Sequence, residues 1–143
     1  MISAIILISY LFNSMNKTVA EVPETAAVVM ATDGTLIDAR IQKEVKTYFN
    51  DVPALARVAY CESTFRHFDE DGEVLRGLVD SRDVGVMQIN EHYHLDTATK
   101  LGYDIHSLEG NMGYARHLYE KQGLQPWSAS RSCWDNTDLV ATK

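Results

Sequence analysis

One stretch, residues 59 to 90, constrains the fold of this chain more than any other. It begins AYCESTF and ends DVGVMQIN, and a polar, acidic insert separates the two segments. A helix over residues 52 to 61 or 62 is predicted to lead into it, because Asp51 can cap free amide groups and Pro53 is tolerated in a first helical turn. That helix would bury Leu55, Val58 and Ala59 together with Cys61. The ending DVGVMQIN is predicted as a strand, so the stretch indicates a helix followed by a strand at one site.

Glu62 is the side chain of this stretch with the most distinctive chemistry. Near the carboxyl end of a helix, beside the apolar residues Cys61 and Phe65, its carboxylate loses solvation and lies at the negative end of the helix dipole. Both effects raise the pKa of a carboxyl group. A carboxyl group that stays protonated near neutral pH can donate its proton to the oxygen of a glycosidic bond. On residue type alone, a solvated glutamate at a helix end is the ordinary alternative.

Two motifs in this stretch resemble those of the bacterial lytic transglycosylases of the SLT type, in the lysozyme-like superfamily. The family pattern is roughly E-S-x-F followed by G-(L/V/A)-M-Q, and the matching residues are Glu62, Ser63, Phe65, Gly85, Met87 and Gln88. These enzymes cleave the glycan strands of peptidoglycan. The resemblance implies an α+β fold that is mainly α, namely a lysozyme-like fold with a small β-hairpin lip beside the active-site cleft.

The resemblance also implies a mechanism that uses one carboxylate. Glu62 would protonate the oxygen of the β-1,4 bond between MurNAc and GlcNAc, and then remove the proton from the muramic acid C6 hydroxyl, which closes a 1,6-anhydro ring. The Met and Gln of the family motif line the cleft, so these roles pass to Met87 and Gln88 and, less directly, to Asn90. Ser63 belongs to the same implied set of substrate-binding residues. For Val86 and Ile89, an ordinary core strand is the alternative.

A long helix is predicted from Ser107 to Gln122, because Ser107 can cap its start and Gly123 can end it. Its apolar residues recur at helical spacing and are Leu108, Met112, Ala115, Leu118 and Tyr119. Four residues of this helix resemble a third family motif, N-I-x-x-(G/A)-x-x-(Y/L), and they are Asn111, Met112, Ala115 and Leu118. We expect this helix to be the central buried one.

The segment after the long helix, GLQPWSASRSCW, departs from the resembled family. Many members carry a Tyr-Asn pair there, whose Tyr reaches the catalytic glutamate, and this chain has no such pair. Tyr114 or Tyr119 is the available substitute. Trp127, which follows Pro126, can either stack on a sugar ring or seal the core, and the sequence favours neither role.

The two cysteines, Cys61 and Cys133, predict one disulfide in a secreted chain. The bond would fix the tail against the end of the helix that carries Glu62. The alternative makes Cys61 a thiol nucleophile with a histidine base. No papain-like local signature surrounds Cys61 to support that alternative.

The chain of 143 residues suits one domain, preceded by two shorter segments. Residues 1 to 20 contain the apolar run ISAIILISYLF, which is shorter than the about 20 residues of a membrane span and typical of a signal peptide. Cleavage is expected after Ala20, with a retained membrane anchor as the alternative. Residues 21 to 38 are predicted to be a flexible lead-in, and residues 39 to 143 the catalytic domain. The protein is therefore expected to be secreted or periplasmic, in the cell envelope.

Two further helices are predicted on either side of the central stretch. ARIQKEVKTYF, residues 39 to 49, has apolar residues at helical spacing with charges between them. Asp96 begins a short helix that stops at Gly102. These segments carry no predicted chemistry and serve to build the domain.

The insert, residues 66 to 83, is predicted to form a lip and not a metal loop. DEDG at 69 to 72 is typical of a turn, and EVLRGLVD of a short strand pair around Gly77. The acidic run lacks the ligand spacing of an EF-hand loop. His92 and His94 in EHYH are without the further ligands that a zinc site needs, so they are interpreted as loop histidines. We expect no metal and no cofactor.

The charge of the chain bears on its partners. Without residues 1 to 20, the chain has 12 basic and 20 acidic side chains, a net charge of −8. Such a surface argues against nucleic acid, for which basic residues supply most of the affinity. The expected partner is a peptidoglycan glycan strand, read by hydrogen bonds and ring stacking. The small size indicates a monomer that works with a larger cell-envelope assembly.

Two alternatives to the lytic transglycosylase hypothesis stay open. Glycosidases that hydrolyse their substrate use two carboxylates, and Asp80 or Asp83 could supply the second one in a lysozyme-type muramidase. A binding module that holds glycan without cutting it is the other alternative. The presence of Glu62 argues against the binding module, because a protein that only binds glycan does not need an acid there.

Overall fold

The computed structural model describes residues 33 to 136, so the predicted signal peptide and residues 21 to 32 of the lead-in lie outside the described residues. In chain order, the elements are α1 (Asp33–Tyr48), α2 (Pro53–Ser63), β1 (Asp83–Val84), β2 (Ile89–Asn90), α3 (Glu91–Lys100), α4 (Leu108–Gln122), a 3₁₀ helix (Gln125–Ser130) and α5 (Arg131–Trp134). The described part is an α+β structure that is mainly α, as the sequence predicted. Within it, every helix is too short or too polar to cross a membrane.

Helices α2 and α4 form as predicted because their end signals are local. The Ser107 hydroxyl accepts a hydrogen bond from the amide of Gly110, and Gly123 ends α4 with a positive φ of 62°. Helix α2 buries Leu55, Val58 and Ala59, and it packs against the 3₁₀ helix and α5. The core that these helices share contains Phe49, Leu55, Val58, Met87, Ile105, Met112, Tyr114 and Trp127.

Asp51 does not cap α2, contrary to the prediction. The N-cap is Val52, and no side chain caps the helix. The carboxylate of Asp51 instead accepts two hydrogen bonds of 2.8 Å from the guanidinium of Arg116, on α4. An arginine fork satisfies both carboxylate oxygens, and the start of α2 is thereby attached to α4.

Helices α1 and α3 both begin earlier than the sequence indicated. Helix α1 starts at Asp33, so residues 33 to 38 of the predicted lead-in are helical. Helix α3 starts at Glu91 and not at Asp96, because the Asn90 side chain accepts a hydrogen bond from the amide of His92 and caps the helix. His92 and His94 therefore lie on a helix and not in a loop.

The segment DVGVMQIN is not one continuous strand, which corrects another prediction. Strands β1 and β2 pair antiparallel, with Val84 opposite Ile89, and residues 85 to 88 form the turn between them. We call these four residues the motif turn. Gly85 has a φ of 69°, and a Cβ there would lie 2.6 Å from the His67 ring, so only glycine fits. Val86 and Met87 are both buried, so burial along the turn does not alternate as it would in a regular strand.

The insert is held by turns and single bridges. The turn at residues 69 to 72 is confirmed, since the Gly72 amide donates to the Asp69 carbonyl at 3.2 Å. The strand pair predicted around Gly77 is wrong, because the pairing is limited to two isolated bridges, Phe68 with Val74 and Arg76 with Val84. The segment between these bridges and β1 bulges outward and leaves Leu78 and Val79 fully exposed.

Candidate active site

Glu62 lies in the last turn of α2, half-buried, and its environment favours the protonated form. Burial raises the pKa of the Glu62 carboxyl group, and the negative charge of Asp83 raises it further. A hydrogen bond from the Ser130 hydroxyl to Glu62 Oε1, at 2.6 Å, acts in the opposite direction. Burial is the largest of these effects, so the net pKa is above its ordinary value.

The raised pKa distinguishes Glu62 from the other described carboxylates whose pKa clearly moves. Those are Asp51, Asp80 and Glu91, and a hydrogen-bonded arginine lowers the pKa of each. Of these four carboxyl groups within residues 33 to 136, Glu62 is the one whose pKa is raised, with burial as the largest cause and no cation among the causes. Such a perturbed group is a candidate functional residue on physical grounds.

Ser63 connects the two sequence motifs. Its hydroxyl lies 3.0 Å from the Ala59 carbonyl oxygen on α2 and 2.9 Å from the Val86 carbonyl oxygen in the motif turn. The side chain is buried, so the predicted contact between Ser63 and a sugar is corrected to a structural role. The E-S motif and the G-V-M-Q motif therefore meet through a side chain of the first and the backbone of the second.

Two buried polar side chains hold the motif turn from the other side. His67 Nδ1 accepts from the Val86 amide at 3.0 Å, and its Nε2 donates to the His106 carbonyl at 2.9 Å. Burial lowers the pKa of His67, which fits a neutral ring in this arrangement. Asn111 Oδ1 accepts from the Met87 amide at 2.9 Å, and its amide nitrogen donates to the backbone carbonyls of Val84 and Ile105. Every hydrogen-bonding group of the two side chains is used, which fixes the turn.

The tail, which we define as residues 125 to 134, packs onto the same turn. The indole nitrogen of Trp127 donates to the Met87 carbonyl at 3.0 Å, and that of Trp134 donates to the Trp127 carbonyl at 2.7 Å. The predicted disulfide between Cys61 and Cys133 is confirmed, with a Cα to Cα distance of 5.9 Å. Because Cys61 is oxidised in this bond, the alternative of a thiol nucleophile is wrong.

Three candidate site residues need correction because their side chains are buried. Met87 is 0% exposed, Tyr114 is 1% exposed and Trp127 is 4% exposed, so none offers a ring or thioether face to a ligand. The Tyr114 hydroxyl bonds to His94 at 3.0 Å and not to Glu62. Tyr114 is therefore not the substitute for the family tyrosine, and Trp127 seals the core.

Gln88 and Asn90 are the two predicted substrate residues that keep partly exposed side chains. The amide nitrogen of Gln88 donates to the Gly85 carbonyl at 2.9 Å, which leaves hydrogen-bonding capacity for a ligand. Asn90 caps α3 and donates to Asp83 at 2.7 Å and to Asp80 at 3.2 Å. Gln88 is thus still a candidate sugar contact, whereas the Asn90 side chain is engaged in the protein.

Backbone strain is concentrated at the two motifs. In the part of the chain that the structure describes, the residues other than glycine with positive φ are Thr64 at 55°, Phe65 at 64° and Gln88 at 48°. Each lies within or directly beside one of the matched motifs. Such conformations persist only where the surrounding structure fixes them, and they cluster at functional sites.

The two aspartates considered as a second carboxylate differ in their surroundings. Asp80 forms an ion pair with Arg82 at 2.7 Å, which holds the pKa of Asp80 far below its ordinary range. Asp83 accepts a hydrogen bond from Asn90, and its charge raises the pKa of Glu62. Asp83 is therefore the carboxylate that is electrostatically coupled to Glu62.

Ser130 is the site residue that the sequence did not reveal. It lies in the segment that replaces the family Tyr-Asn pair, and a serine there carries no motif. The available signal was its spacing, because Ser130 is three residues before Cys133 and Glu62 directly follows Cys61. A disulfide between those cysteines brings both segments together.

Other parts of the described structure contribute less to a functional assignment. An open hollow of about 470 Å³ on α1 is lined by Ala39, Gln42, Lys43, Lys46, Thr47 and Asn50, and none of these is a predicted site residue. Among residues 33 to 136, no cluster of three or more His, Cys, Asp or Glu side chains is placed to hold a metal ion.

Comparisons with protein-family models, curated proteins and solved structures find no match.

Proposed function

We propose that this protein is a peptidoglycan lytic transglycosylase with a lysozyme-like fold and with Glu62 as its single catalytic carboxyl group. The observation that carries the proposal is the position of Glu62. A half-buried carboxyl group with a raised pKa lies where the E-S and G-V-M-Q motifs contact each other. The proposal includes a place in the cell envelope and a glycan strand as the partner.

The raised pKa of Glu62 supports its first step. The protonated carboxyl group donates its proton to the glycosidic oxygen between MurNAc and GlcNAc, and the bond from that oxygen to the muramic acid C1 breaks. The leaving sugar departs as an alcohol, and positive charge develops at C1 and the ring oxygen. Glu62 is then a carboxylate close to that charge.

In the second step Glu62 acts as the base. Its carboxylate removes the proton from the muramic acid C6 hydroxyl, and the oxygen at C6 forms a bond to C1. This closes the 1,6-anhydro ring, uses no water and restores the protonated Glu62. Gln88, on the motif turn, is the side chain that we assign to orient the sugar, because it is partly exposed and keeps hydrogen-bonding capacity.

A muramidase is the second candidate, and one observation favours it. Asp83 is close enough to Glu62 for its charge to raise the pKa of that residue, which is the relation expected of two carboxylates that share a site. In that reaction water attacks C1 and the product carries a reducing end. The arginine partner of Asp80 makes that residue the less suitable second carboxylate.

Mass spectrometry of the products from purified peptidoglycan tests the proposal. We expect muropeptides that end in 1,6-anhydro-muramic acid and are lighter by one water than muramidase products. Glu62→Gln should lower their formation at least about 100-fold, since the amide can neither donate nor accept the transferred proton. Glu120→Gln, an exposed change of the same type on α4, is the matched control and should keep full activity.

The other outcomes identify the alternatives. Products with reducing ends that disappear in Asp83→Asn would establish hydrolysis. Binding of glycan strands by the wild-type protein with no product of either kind would establish a binding module. Full activity in Glu62→Gln would remove Glu62 from the mechanism altogether.

A further inference from the structure

The hydroxyl group of Ser130 lies between two acceptors at the end of α2. It is 2.6 Å from Glu62 Oε1 and 3.2 Å from the Trp127 carbonyl oxygen. A serine hydroxyl has one proton to donate, and the shorter distance directs it to Glu62. Within residues 33 to 136, Ser130 is the hydrogen-bond partner of the Glu62 side chain. This bond occupies Oε1, one of the two carboxyl oxygens.

The segment that carries Ser130 is fixed by contacts that do not involve Glu62. Trp127 and Trp134 attach the tail to the motif turn, and the disulfide attaches Cys133 to the residue before Glu62. The Arg57 side chain, also on α2, donates to the Trp134 carbonyl at 2.9 Å. The position of the segment that carries Ser130 therefore does not depend on the protonation state of Glu62.

We propose that Ser130 is a positioning residue that occupies Glu62 Oε1 and so confines the catalytic proton to Oε2. This inference rests on the proposed function, because it concerns the acid that donates to the glycosidic oxygen. With Oε1 accepting the Ser130 proton, the carboxyl proton resides on Oε2, the oxygen left for the substrate. The same oxygen then receives the proton from the C6 hydroxyl, so one atom serves both steps.

This arrangement replaces a contact that the resembled family makes with a different residue. Tyr114 is too deeply buried and is bonded to His94, so it does not reach Glu62. Ser130 reaches the carboxyl group from the tail instead, with a shorter side chain. The tail is thus part of the active site and not only a clamp for the core.

Charged groups near Glu62 also affect its protonation. Asp83 acts on Glu62 through its negative charge, from β1. On α5 and the residue after it, Arg131 and Asp135 pair with one another in solvent. Substitution of Ser130 leaves all of these charged groups in place. A change in the pKa of Glu62 therefore measures the effect of the Ser130 hydroxyl.

Two readouts on Ser130→Ala test the inference. In a ¹³C NMR titration, the pKa of Glu62 should rise, because a hydrogen bond that favours the carboxylate is lost. In kinetics, kcat should fall about 10-fold with KM nearly unchanged, since Ser130 does not touch the sugar and a hydrogen bond to a charged group is removed. The falling limb of the pH profile should move to higher pH, because the acid form of Glu62 persists further.

Matched variants isolate the hydroxyl group. Ser132→Ala, an exposed serine of the same tail, should leave the titration and kcat as in the wild type. Ser130→Thr keeps the hydroxyl and should preserve both readouts, whereas Ser130→Val has the same shape without it and should behave like the alanine variant. This pair serves if the alanine variant does not fold.

The outcomes separate this inference from the proposed function. If the wild-type protein makes no anhydro products, the proposed function fails and the inference fails with it. If the wild type is active but the titration of Glu62 and the falling limb are the same in Ser130→Ala or Ser130→Val, the inference alone is overturned.

Discussion

The end of α2 and the insert each present a carboxyl group, and the two groups are in opposite states. Glu62 is half-buried and has a pKa above the ordinary value, and among residues 33 to 136 no cation contributes to that pKa. Asp80 is more exposed, accepts hydrogen bonds from Arg82 and Asn90, and has a pKa far below the ordinary value. The surroundings of a carboxyl group, and not its residue type, therefore decide whether it holds a proton or a fixed charge.

Removal of the disulfide should have the largest effect on the protein and should act at Glu62 and not at Asp80. In Cys61→Ser/Cys133→Ser, the free energy of unfolding should fall by about 4 kcal/mol, the value expected from chain entropy for a closed loop of this length. The tail should also loosen, so Glu62 loses its partner while the pair between Asp80 and Arg82 is unaffected. Urea denaturation measures the loss of unfolding free energy. An unchanged denaturation midpoint would show that the other contacts of the tail hold it in place without the disulfide.

Removal of the buried amide that holds the motif turn should have the next largest effect. Asn111→Ala leaves the Met87 amide and two backbone carbonyls buried without their partner, which should cost about 3 kcal/mol of unfolding free energy. Asn50→Ala, at an exposed asparagine, is the control and should change little. If both variants unfold at the same denaturant concentration, the turn is held by its apolar contacts instead.

Neutralisation of Asp83 tests the electrostatic cause of the raised pKa of Glu62. Asp83→Asn keeps an oxygen that accepts from Asn90 and removes the negative charge that raises the pKa of Glu62. The pKa of Glu62 should therefore fall, and the falling limb of the pH profile should move to lower pH, with the maximal rate lowered only about 2- to 5-fold for a change of roughly 1 kcal/mol or less. Complete loss of product would instead assign Asp83 a chemical role.

The smallest effects concern how stability depends on pH, and they should have opposite signs at Glu62 and at Asp80. Because the pKa of Glu62 is raised above 4.5, the native state loses stability relative to the unfolded state as pH rises through the interval above 4.5. Glu62→Gln should therefore stabilise the protein by roughly 1 kcal/mol at neutral pH, and the gain should vanish at acid pH. Thermal melts at several pH values measure it.

For Asp80 the sign is reversed. Its pKa is lowered from 3.8, so its contribution to stability is present above that value and is lost as pH falls through the lowered pKa. Asp80→Asn should lower the melting temperature slightly at neutral pH and not at strongly acid pH. Equal shifts of one sign in Asp80→Asn and Glu62→Gln would contradict the contrast between the two regions.

The sequence predicted what local signals determine. Pro53, Ser107 and Gly123 bound α2 and α4 through preferences that act within one helical turn, and two cysteines left one disulfide to form. The raised pKa of Glu62 was predicted from its position near the end of such a helix, beside apolar residues. The helix ends need no knowledge of distant parts of the chain, and the disulfide follows from the presence of two cysteines.

The parts that the sequence did not predict depend on distant partners. DVGVMQIN has the composition of a strand, but its backbone groups bond to His67 and Asn111, which lie 19 and 24 residues away from their partners. Asn90 caps a helix because β2, whose position depends on the motif turn, ends there. Ser130 reaches Glu62 across 68 residues, and the sequence signals that contact through the disulfide alone, because each residue lies close to one of the two cysteines.

The disulfide also determines what happens to the site when the chain is cut. The insert lies between Cys61 and Cys133, and its exposed tip at Leu78 and Val79 is the kind of segment that proteases reach first. A single cut there yields two fragments, one with Glu62 and the other with Ser130, that are still covalently joined beside the site. Nicked molecules therefore separate into two bands only after reduction, and before reduction they keep the acid and its partner on one framework.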